Sequence, residues 1–128
     1  MIVVDTHALV WWANSGRDLL SQVARRAIVD ADSVGFSVVT AWEIGTLAGR
    51  RRIEIHPGPG EWLREVTEGH GLAVLPLTIE IAIRGAKLQE ALRDPMDCLI
   101  VATALTYGVP LVTKDERIQR SGVVATIW

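Results

Sequence analysis

Four acidic residues, each in a different part of this 128-residue sequence, have the right chemistry to share one site. Asp5 and Asp115 come shortly after short apolar runs that are typical of buried strands. Glu43 and Asp97 fall in the early turns of two stretches with helical spacing. Carboxylate oxygens are the ligands that Mg²⁺ and Mn²⁺ prefer. If the four side chains meet, they predict a site for one or two divalent ions.

Such a cluster of carboxylates is costly unless something offsets its charge. At an effective dielectric constant near 20, two unit charges about 5 Å apart repel by roughly 3 kcal/mol. Summed over four acids, this repulsion exceeds the usual stability of a domain, about 5–15 kcal/mol. The acids must therefore take up protons or bind a cation. A divalent ion can orient a water and stabilise charge on a phosphodiester, so the pattern favours metal-dependent phosphodiester hydrolysis.

Two of the acids at one helix start have separate interpretations. Asp94 stands before Pro95, and this pair is typical of an N-cap residue followed by proline at the first helical position. Asp97 then falls in the first turn, where the helix dipole alone favours a carboxylate. We expect Asp94 to start the helix, with a possible supporting role at the site, and Asp97 to face the metal.

The other acids differ in how easily a structural role explains them. Asp5 is the hardest to explain structurally, because aspartate is uncommon after a buried strand. Glu43 taken alone means little, since surface helices are rich in glutamate. Asp115 with Glu116 could form a polar turn. The metal-site hypothesis therefore depends on the joint placement of the acids.

Short apolar runs alternate along the chain with stretches of helical spacing. This order predicts a parallel sheet covered by helices on both faces. The carboxyl ends of parallel strands, where ligands bind in such sheets, share an edge with the starts of the following helices. All four acids fall at that edge. The predicted strands are 2–4, 34–37, 72–75, 111–113 and 123–126, the predicted helices are 8–14, 21–31, 40–49, 61–68, 78–92 and 95–107, and the clearest loop is 56–60.

Composition limits the classes of protein that fit. Residues 1–128 are 49% hydrophobic and 22% charged, which is typical of a single globular domain. A net charge of -2 gives no general attraction to nucleic acid, so RNA must be met by local basic patches. The single cysteine, Cys98, excludes an internal disulfide and is expected in the core. The charge-free run 98–113 is too short to span a bilayer, so we expect a soluble cytoplasmic protein with no membrane contact.

Several residues near the acids are candidates for lesser roles. The hydroxyls of Thr6 and Thr113 could hold an acid or a phosphate. Arg50 begins a run of three arginines that could steer RNA phosphates, or could equally form a solvated helix end. Lys114 is a weaker candidate of the same kind. His7 could orient the site, although a structural hydrogen bond is the preferred interpretation.

Tryptophan supplies five of the seven aromatic residues. It is favoured at interfaces between proteins. Trp11 and Trp12 are adjacent on a predicted helix and cannot face the same way. One is expected in the core and the other exposed or bound to a partner, with core packing the preferred interpretation for each tryptophan taken singly.

Four stretches in this order and spacing resemble one known family. They are "VVDTHALVWW" at 3–12, "SVVTAWEIGTL" at 37–47, "RDPMDCLIVATAL" at 93–105 and "PLVTKDERI" at 110–118. On these motifs, which span essentially the whole chain, the protein resembles a PIN domain and, within that family, a VapC-type toxin of bacterial toxin–antitoxin pairs. Each motif is weak evidence when isolated, whereas the four in sequence are strong.

This resemblance implies a fold, an activity and a set of site residues. The fold is a three-layer α/β/α sandwich with a four- to five-stranded, mainly parallel sheet. The activity is an endoribonuclease dependent on Mg²⁺ or Mn²⁺ that acts on tRNA or other structured RNA and leaves 5′-phosphate and 3′-hydroxyl ends. The metal-binding, catalytic acids are Asp5, Glu43, Asp97 and Asp115, while Asp94 belongs to a variant of the third motif.

The resemblance also implies partners, and it leaves one alternative open. The implied partners are a second copy of the chain and a small antitoxin protein whose tail enters near the active site. The alternative is a catalytically silent PIN-type module that binds RNA or protein. A silent module is expected to have lost some acids, whereas all four are present. A receiver domain fails because 50–60 contains no aspartate, and P-loop and dinucleotide motifs are missing from the sequence.

Overall fold

The computed structural model describes residues 1–14 and 16–128 as one twisted arrangement of alternating strands and helices. The strands are β1 (Ile2–Val4), β2 (Val34–Ser37), β3 (Ala73–Leu75), β4 (Leu111–Val112) and β5 (Thr126–Ile127). The helices are α1 (Thr6–Ala13), α2 (Gln22–Asp30), α3 (Val38–Gly49), α4 (Pro59–His70), α5 (Ile79–Lys87), α6 (Gln89–Leu92), α7 (Pro95–Tyr107) and α8 (Glu116–Ser121). A 3-10 turn covers Arg17–Leu19.

The five strands form one sheet in the order β3-β2-β1-β4-β5, and every neighbouring pair is parallel. β1 is central, and its three residues are all buried because helices cover both faces of the sheet. Side chains alternate across it. Ile2 and Val4 pack in one hydrophobic cluster with α1, α2 and α4, and Val3 packs in a second cluster with α7 and α8. The three-layer α/β/α sandwich predicted from the sequence is confirmed.

The predicted helix 95–107 is confirmed with its bounds. α7 begins at Pro95 and ends before Gly108, whose positive φ of 66° suits a glycine at a helix C-terminus. Cys98 on this helix is buried, as expected for a small core residue. In the part of the chain that the structure describes, no helix is both long enough and apolar enough to cross a membrane.

Several predicted boundaries are wrong, each for a local reason. The predicted helix 78–92 is divided at Leu88 into α5 and α6, and this break turns Leu92 into the core. α4 begins at Pro59, inside the predicted loop, since proline is well suited to a first helical position. α8 was not predicted. It occupies six residues. The final strand lies at Thr126–Ile127 and not at 123–126, because these two residues are the ones that pair with Leu111 and Val112 of β4.

Candidate active site

The four acids singled out in the sequence line one open cavity of about 490 Å³ at the carboxyl edge of the sheet. β1 and β4 are adjacent and parallel, so Asp5 and Asp115 follow them at the same edge. Glu43 reaches this edge from α3 and Asp97 from the first turn of α7. The remaining lining residues are Thr6, His7, Trp11, Ile100, Lys114 and Arg117.

Asp5 and Asp115 also cap helices. Oδ1 of Asp5 accepts a hydrogen bond from the Ala8 amide at 2.7 Å, which makes Asp5 the N-cap of α1. The expectation that Asp5 has no evident structural role was wrong, because α1 begins at Thr6 and not at Ala8. Oδ1 of Asp115 accepts from the amides of Arg117 and Ile118, at 2.8 and 3.2 Å, and caps α8. These caps fix the position of both carboxylates.

Two threonines hold the acids in place. The Thr6 hydroxyl donates to Oε1 of Glu43 at 2.6 Å, and the hydroxyl of the buried Thr40 lies 3.4 Å from that of Thr6. Thr113 is buried at the end of β4. Burial raises the pKa of the Asp5 carboxyl, and the Thr113 side chain opposes that rise. The Thr113 hydroxyl oxygen accepts a hydrogen bond from the Asp115 amide at 3.1 Å. The hydroxyls suggested by the sequence thus contact the acids directly.

At the start of α7, the predicted N-cap role of Asp94 is confirmed, and Asp97 lies on the cavity. Oδ1 of Asp94 accepts hydrogen bonds from the amides of Met96 and Asp97, at 2.9 and 3.1 Å, so Asp94 is the N-cap and lies outside the cavity lining. The Asp97 side chain faces the cavity and is 23% exposed. Arg117 lies between two acids, with Nη2 3.7 Å from Oδ2 of Asp97 and 3.5 Å from Oδ2 of Asp115.

Burial makes ionisation of these acids unfavourable. Loss of water is the main cause that raises the pKa of Asp5, and it also raises the pKa of Glu43. Asp97 is affected most clearly. Burial, followed by the negative charges of Asp94 and Asp115, raises its pKa to about 7, although Arg117 opposes the shift. The cavity therefore favours the uptake of either protons or a cation.

The donor atoms are of the type that binds a divalent ion, but in this structure they do not lie close enough together to hold one. Within residues 1–14 and 16–128, no three His, Cys, Asp or Glu side chains stand close enough to hold one ion. Local bonds explain this spacing, since Asp5 and Asp115 cap helices and Arg117 pairs with Asp97. Carboxylate oxygens around a partly buried cavity are nevertheless the donor set of Mg²⁺ and Mn²⁺. An ion binding here would compete with the Arg117 guanidinium.

Of the other residues suggested by the sequence, some line the cavity and some do not. Arg50 is the C-cap residue of α3, and at 1.5 Å per residue it lies about 10 Å along the helix from Glu43. It does not line the cavity. His7 lines the cavity and packs its imidazole against Trp11, with ring centroids 5.6 Å apart. Arg117 was not among the residues predicted from the sequence; the signal for it was its place in the first turn of a helix that Asp115, one of the four acids, caps.

The adjacent tryptophans of α1 face different surroundings, as helix geometry requires. Trp11 lines the acidic cavity, whereas the Trp12 ring lies 6.0 Å from that of His70. Both side chains are half-buried. Both rings pack against one hydrophobic cluster, which agrees with the core packing preferred for each tryptophan taken singly. The division into one core and one exposed ring was wrong, because α1 lies at the margin of that cluster and covers neither ring fully.

Comparisons with known proteins agree with this geometry. The family model described as PIN domain matches residues 2–123. Ribonuclease VapC22 of Mycobacterium tuberculosis is 31% identical over 130 residues, which cover 99% of this chain and 98% of the relative. VapBC2 from Rickettsia felis, solved bound to a DNA fragment from its promoter, has a TM-score of 0.69 at 15% identity, covering 98% of this chain and 97% of that one. DNA-bound VapBC from Salmonella typhimurium gives 0.67 at 18% identity, covering 98% and 97%.

Proposed function

Since the chain belongs to the PIN domain family, and within it to the VapC-type proteins, we propose that it is a metal-dependent endoribonuclease acting as the toxin of a toxin–antitoxin pair. The observation that carries this proposal is the ring of four carboxylates around one cavity, in a chain 31% identical to a ribonuclease. The proposed substrate is tRNA or another structured RNA, which places its action in the cytoplasm.

The proposed metal ligands are Asp5, Glu43, Asp97 and Asp115, which would hold one or two Mg²⁺ or Mn²⁺ ions. When bound, such an ion makes water acidic enough to attack a phosphodiester near neutral pH and offsets charge on the phosphate oxygens. The raised pKa values of three of these acids support the assignment, because a bound cation favours the ionised carboxylate that burial disfavours.

The chain's own residues orient the reaction. Thr6 donates to Glu43 and so directs the other carboxylate oxygen, Oε2, away from this hydrogen bond. Thr113 accepts a hydrogen bond from the Asp115 amide, and its side chain opposes the rise in the pKa of Asp5, so it favours the ionised form of that carboxyl. Arg117 is 67% exposed, and a phosphate entering the cavity would meet its guanidinium near the acids. No Ser, Cys or His nucleophile is required for this hydrolysis.

A catalytically silent binding module is the second candidate, and one observation favours it. The ion pairs of Arg117 with Asp97 and Asp115 neutralise part of the acid cluster without any metal. In a silent module these pairs would persist and divalent ions would bind weakly. In the nuclease, a bound Mn²⁺ would compete with these ion pairs and would raise the melting temperature by linkage, so thermal melting with Mn²⁺ against EDTA separates the two candidates.

A small antitoxin is the proposed protein partner. Solved structures with a similar fold include several VapBC structures, and one of them, VapBC-5 from Mycobacterium tuberculosis, is described as a member of the VapBC family of toxin–antitoxin systems. The open cavity with its four acids supports inhibition by a tail that enters near the active site, since a basic side chain there would occupy the place of the metal.

We propose a homodimer because two helices carry solvent-exposed apolar side chains. Trp42 is 62% exposed on α3, and Val38 lies one turn before it on the same helix. Ile79 and Ile83 are 85% and 57% exposed on α5 and share one face in the same way. Both helices pack against α7. Exposed apolar groups of this size are typical of surfaces that bind a protein.

Product analysis tests the proposed function. Purified protein with Mg²⁺ should cut bulk tRNA into fragments with 5′-phosphate and 3′-hydroxyl ends, which RNA ligase joins without prior repair. Asp115→Asn should lower the rate about tenfold or more, whereas Glu116→Gln, an exposed acid paired with Arg120, should cut like wild type. Cyclic-phosphate ends, or equal rates for the two variants, would contradict metal-assisted hydrolysis at this cavity.

A further inference from the structure

One wall of the acidic cavity is aromatic. Trp11 lines it beside the carboxylates and remains half-buried, so part of its indole is open to the cavity. The indole is held on two sides, by His7 with ring centroids 5.6 Å apart and by Trp128 with centroids 6.0 Å apart and planes tilted by 56°. Trp11 is therefore a fixed, partly open aromatic surface next to the proposed site of cleavage.

A cation accompanies this aromatic surface. The Lys114 ammonium lies 5.6 Å from the centroid of the Trp11 ring, and its side chain is exposed. Lys114 is the residue before Asp115, yet the salt bridges in the described part of the chain pair Asp115 with Arg117 and leave Lys114 without an acidic partner. Its charge therefore rests on the Trp11 ring and has no carboxylate to hold it there, so an anion can draw it away from the ring.

An aromatic ring with an unpaired cation at its face matches the two parts of a nucleotide. A base stacks on an indole, and a phosphate pairs with an ammonium group. Building on the proposed nuclease function, we propose that Trp11 and Lys114 form a nucleotide subsite at the cavity rim. The base of a nucleotide beside the cut takes the place of the Lys114 ammonium on the face of Trp11, and the released ammonium pairs with a phosphate of that strand.

This subsite defines the class of RNA that the cavity accepts. A base can lie on an indole only after it has left the stack of its own helix, which unpaired loops, bulges and ends permit most readily. The cut therefore falls in a single-stranded segment of a folded RNA. A continuous duplex would present its phosphates to Lys114 but no free base to Trp11.

Binding, measured separately from cleavage, tests the subsite. The probe is a fluorescein-labelled RNA of mixed sequence, about 12 nucleotides long, free or annealed to its complement. Anisotropy titrations with Mg²⁺ are read before product appears on a gel. Trp11→Leu should weaken single-strand binding about tenfold or more and leave duplex binding unchanged, because stacking is lost while the phosphate contacts remain.

The neighbouring tryptophan supplies the matched control. Trp12→Leu makes the same change on the same helix at a half-buried side chain, but Trp12 faces His70 and not the cavity. It should bind the single strand within about twofold of wild type. Trp11→Phe keeps an aromatic face and should recover most of the binding. Lys114→Gln, at an exposed position, should weaken binding to both RNAs and reduce the salt dependence by about one counterion.

The outcomes distinguish the subsite from the nuclease itself. If RNA is cut but Trp11→Leu binds the single strand like wild type, the nuclease stands and the subsite is overturned. If no RNA is cut but Trp11→Leu selectively loses single-strand binding, the subsite stands and hydrolysis fails. Equal losses in Trp11→Leu and Trp12→Leu would show damage to α1 and would also overturn the subsite. If Trp11→Leu does not fold, the other two variants decide. Single-strand binding lost in Trp11→Phe, or unchanged binding in Lys114→Gln, would overturn the subsite.

Discussion

At the scale of single residues, Asp97 combines burial and negative charge most sharply. Its carboxyl faces the cavity with a pKa of about 7, and the carboxylates of Asp94 and Asp115 lie near enough to raise that pKa further than burial alone. Arg117 reduces the shift without abolishing it. A group in this state resists ionisation in the absence of metal and gains most from a bound cation.

Metal-free protein should therefore lose stability as pH rises. The folded-state pKa of Asp97 lies above the unfolded value, so its stabilising effect is complete below about pH 4 and is lost as pH rises through about 7. In EDTA, the free energy of unfolding should fall by about 1–2 kcal/mol between about pH 5 and 8, and less in Asp97→Asn. Urea denaturation at each pH measures it.

Two further conditions make this pH test decisive. Saturating Mn²⁺ should reverse the slope in wild type, because the ion binds the ionised carboxylates of the folded state alone. Glu116→Gln, at an exposed acid, should keep the wild-type slope. If the free energy of unfolding in EDTA depends on pH in the same way for wild type and Asp97→Asn, the raised pKa of Asp97 is contradicted.

Thr6 should matter through Glu43. Replacing Thr6 with valine keeps the side chain's shape and removes the hydroxyl that donates to Glu43 at 2.6 Å. We expect about a tenfold loss of Mn²⁺ affinity and of cleavage, with the fold retained, since removing partners of metal ligands typically has this effect. Calorimetric titration with Mn²⁺ and single-turnover cleavage measure both, and Thr6→Ser should restore them. Wild-type affinity in Thr6→Val would show that Glu43 is not held for a metal.

The acids themselves could be predicted from the sequence, but the hydrogen bonds that their side chains make could not. Residue type and position after strands were sufficient to select Asp5 and Asp115, because parallel strands end at a common edge. That both cap helices could not be foreseen, since this depended on α1 beginning two residues earlier than predicted and on the unpredicted α8. The place of Arg117 between Asp97 and Asp115 follows from the same short helix.

At the scale of elements, the start of α7 carries two aspartates with different roles: Asp94 caps the helix, and Asp97 is a proposed metal ligand. Asp94→Ala removes the acceptor for the amides of Met96 and Asp97, which should cost about 1 kcal/mol and lower Tm by about 4 °C. Asp94→Asn keeps a capping oxygen and should cleave RNA within about threefold of wild type. Thermal melting and cleavage rates check both expectations. Loss of cleavage in a stable Asp94→Asn, as deep as in Asp97→Asn, would instead make Asp94 a metal ligand.

The accuracy of the predicted elements follows from their length and pattern. α7 was predicted with the correct bounds because it has proline and a cap at one end and glycine at the other. β1 was predicted with the correct bounds because Ile2–Val4 is an all-apolar, β-branched run that ends at Asp5, and the bounds predicted for β2 are also correct. α6 and α8 have four and six residues, less than two turns, so neither shows a helical period in the sequence.

At the scale of the whole molecule, the exposed faces of α3 and α5 should hold two copies of the chain together. Ile83→Glu places a charge among apolar side chains and should convert a dimer into a monomer, as measured by sedimentation equilibrium at micromolar concentration. Val29→Glu on α2, where valine is 64% exposed, is the matched control and should leave the mass unchanged. A wild-type protein that sediments as a monomer would contradict the proposed homodimer.

The parallel architecture as a whole makes the acidic cavity possible. Residues separated by more than a hundred positions, Asp5 and Asp115, become neighbours because β1 pairs with β4. The sequence predicted this layering from the alternation of strands and helices. Composition and spacing did not predict an RNA substrate, an antitoxin or a second copy, because binding to these partners depends on surfaces outside the core. These three predictions came from the family resemblance.

Cleavage of bulk tRNA by wild type and by Asp97→Asn, each with Mg²⁺ and with EDTA, tests the metal-dependent nuclease most directly. Wild type should give discrete fragments with Mg²⁺ and none with EDTA, and Asp97→Asn, shown to be folded by circular dichroism, should give none in either. Cleavage by Asp97→Asn at the wild-type rate, or cleavage by wild type in EDTA, would contradict a nuclease built on these four acids.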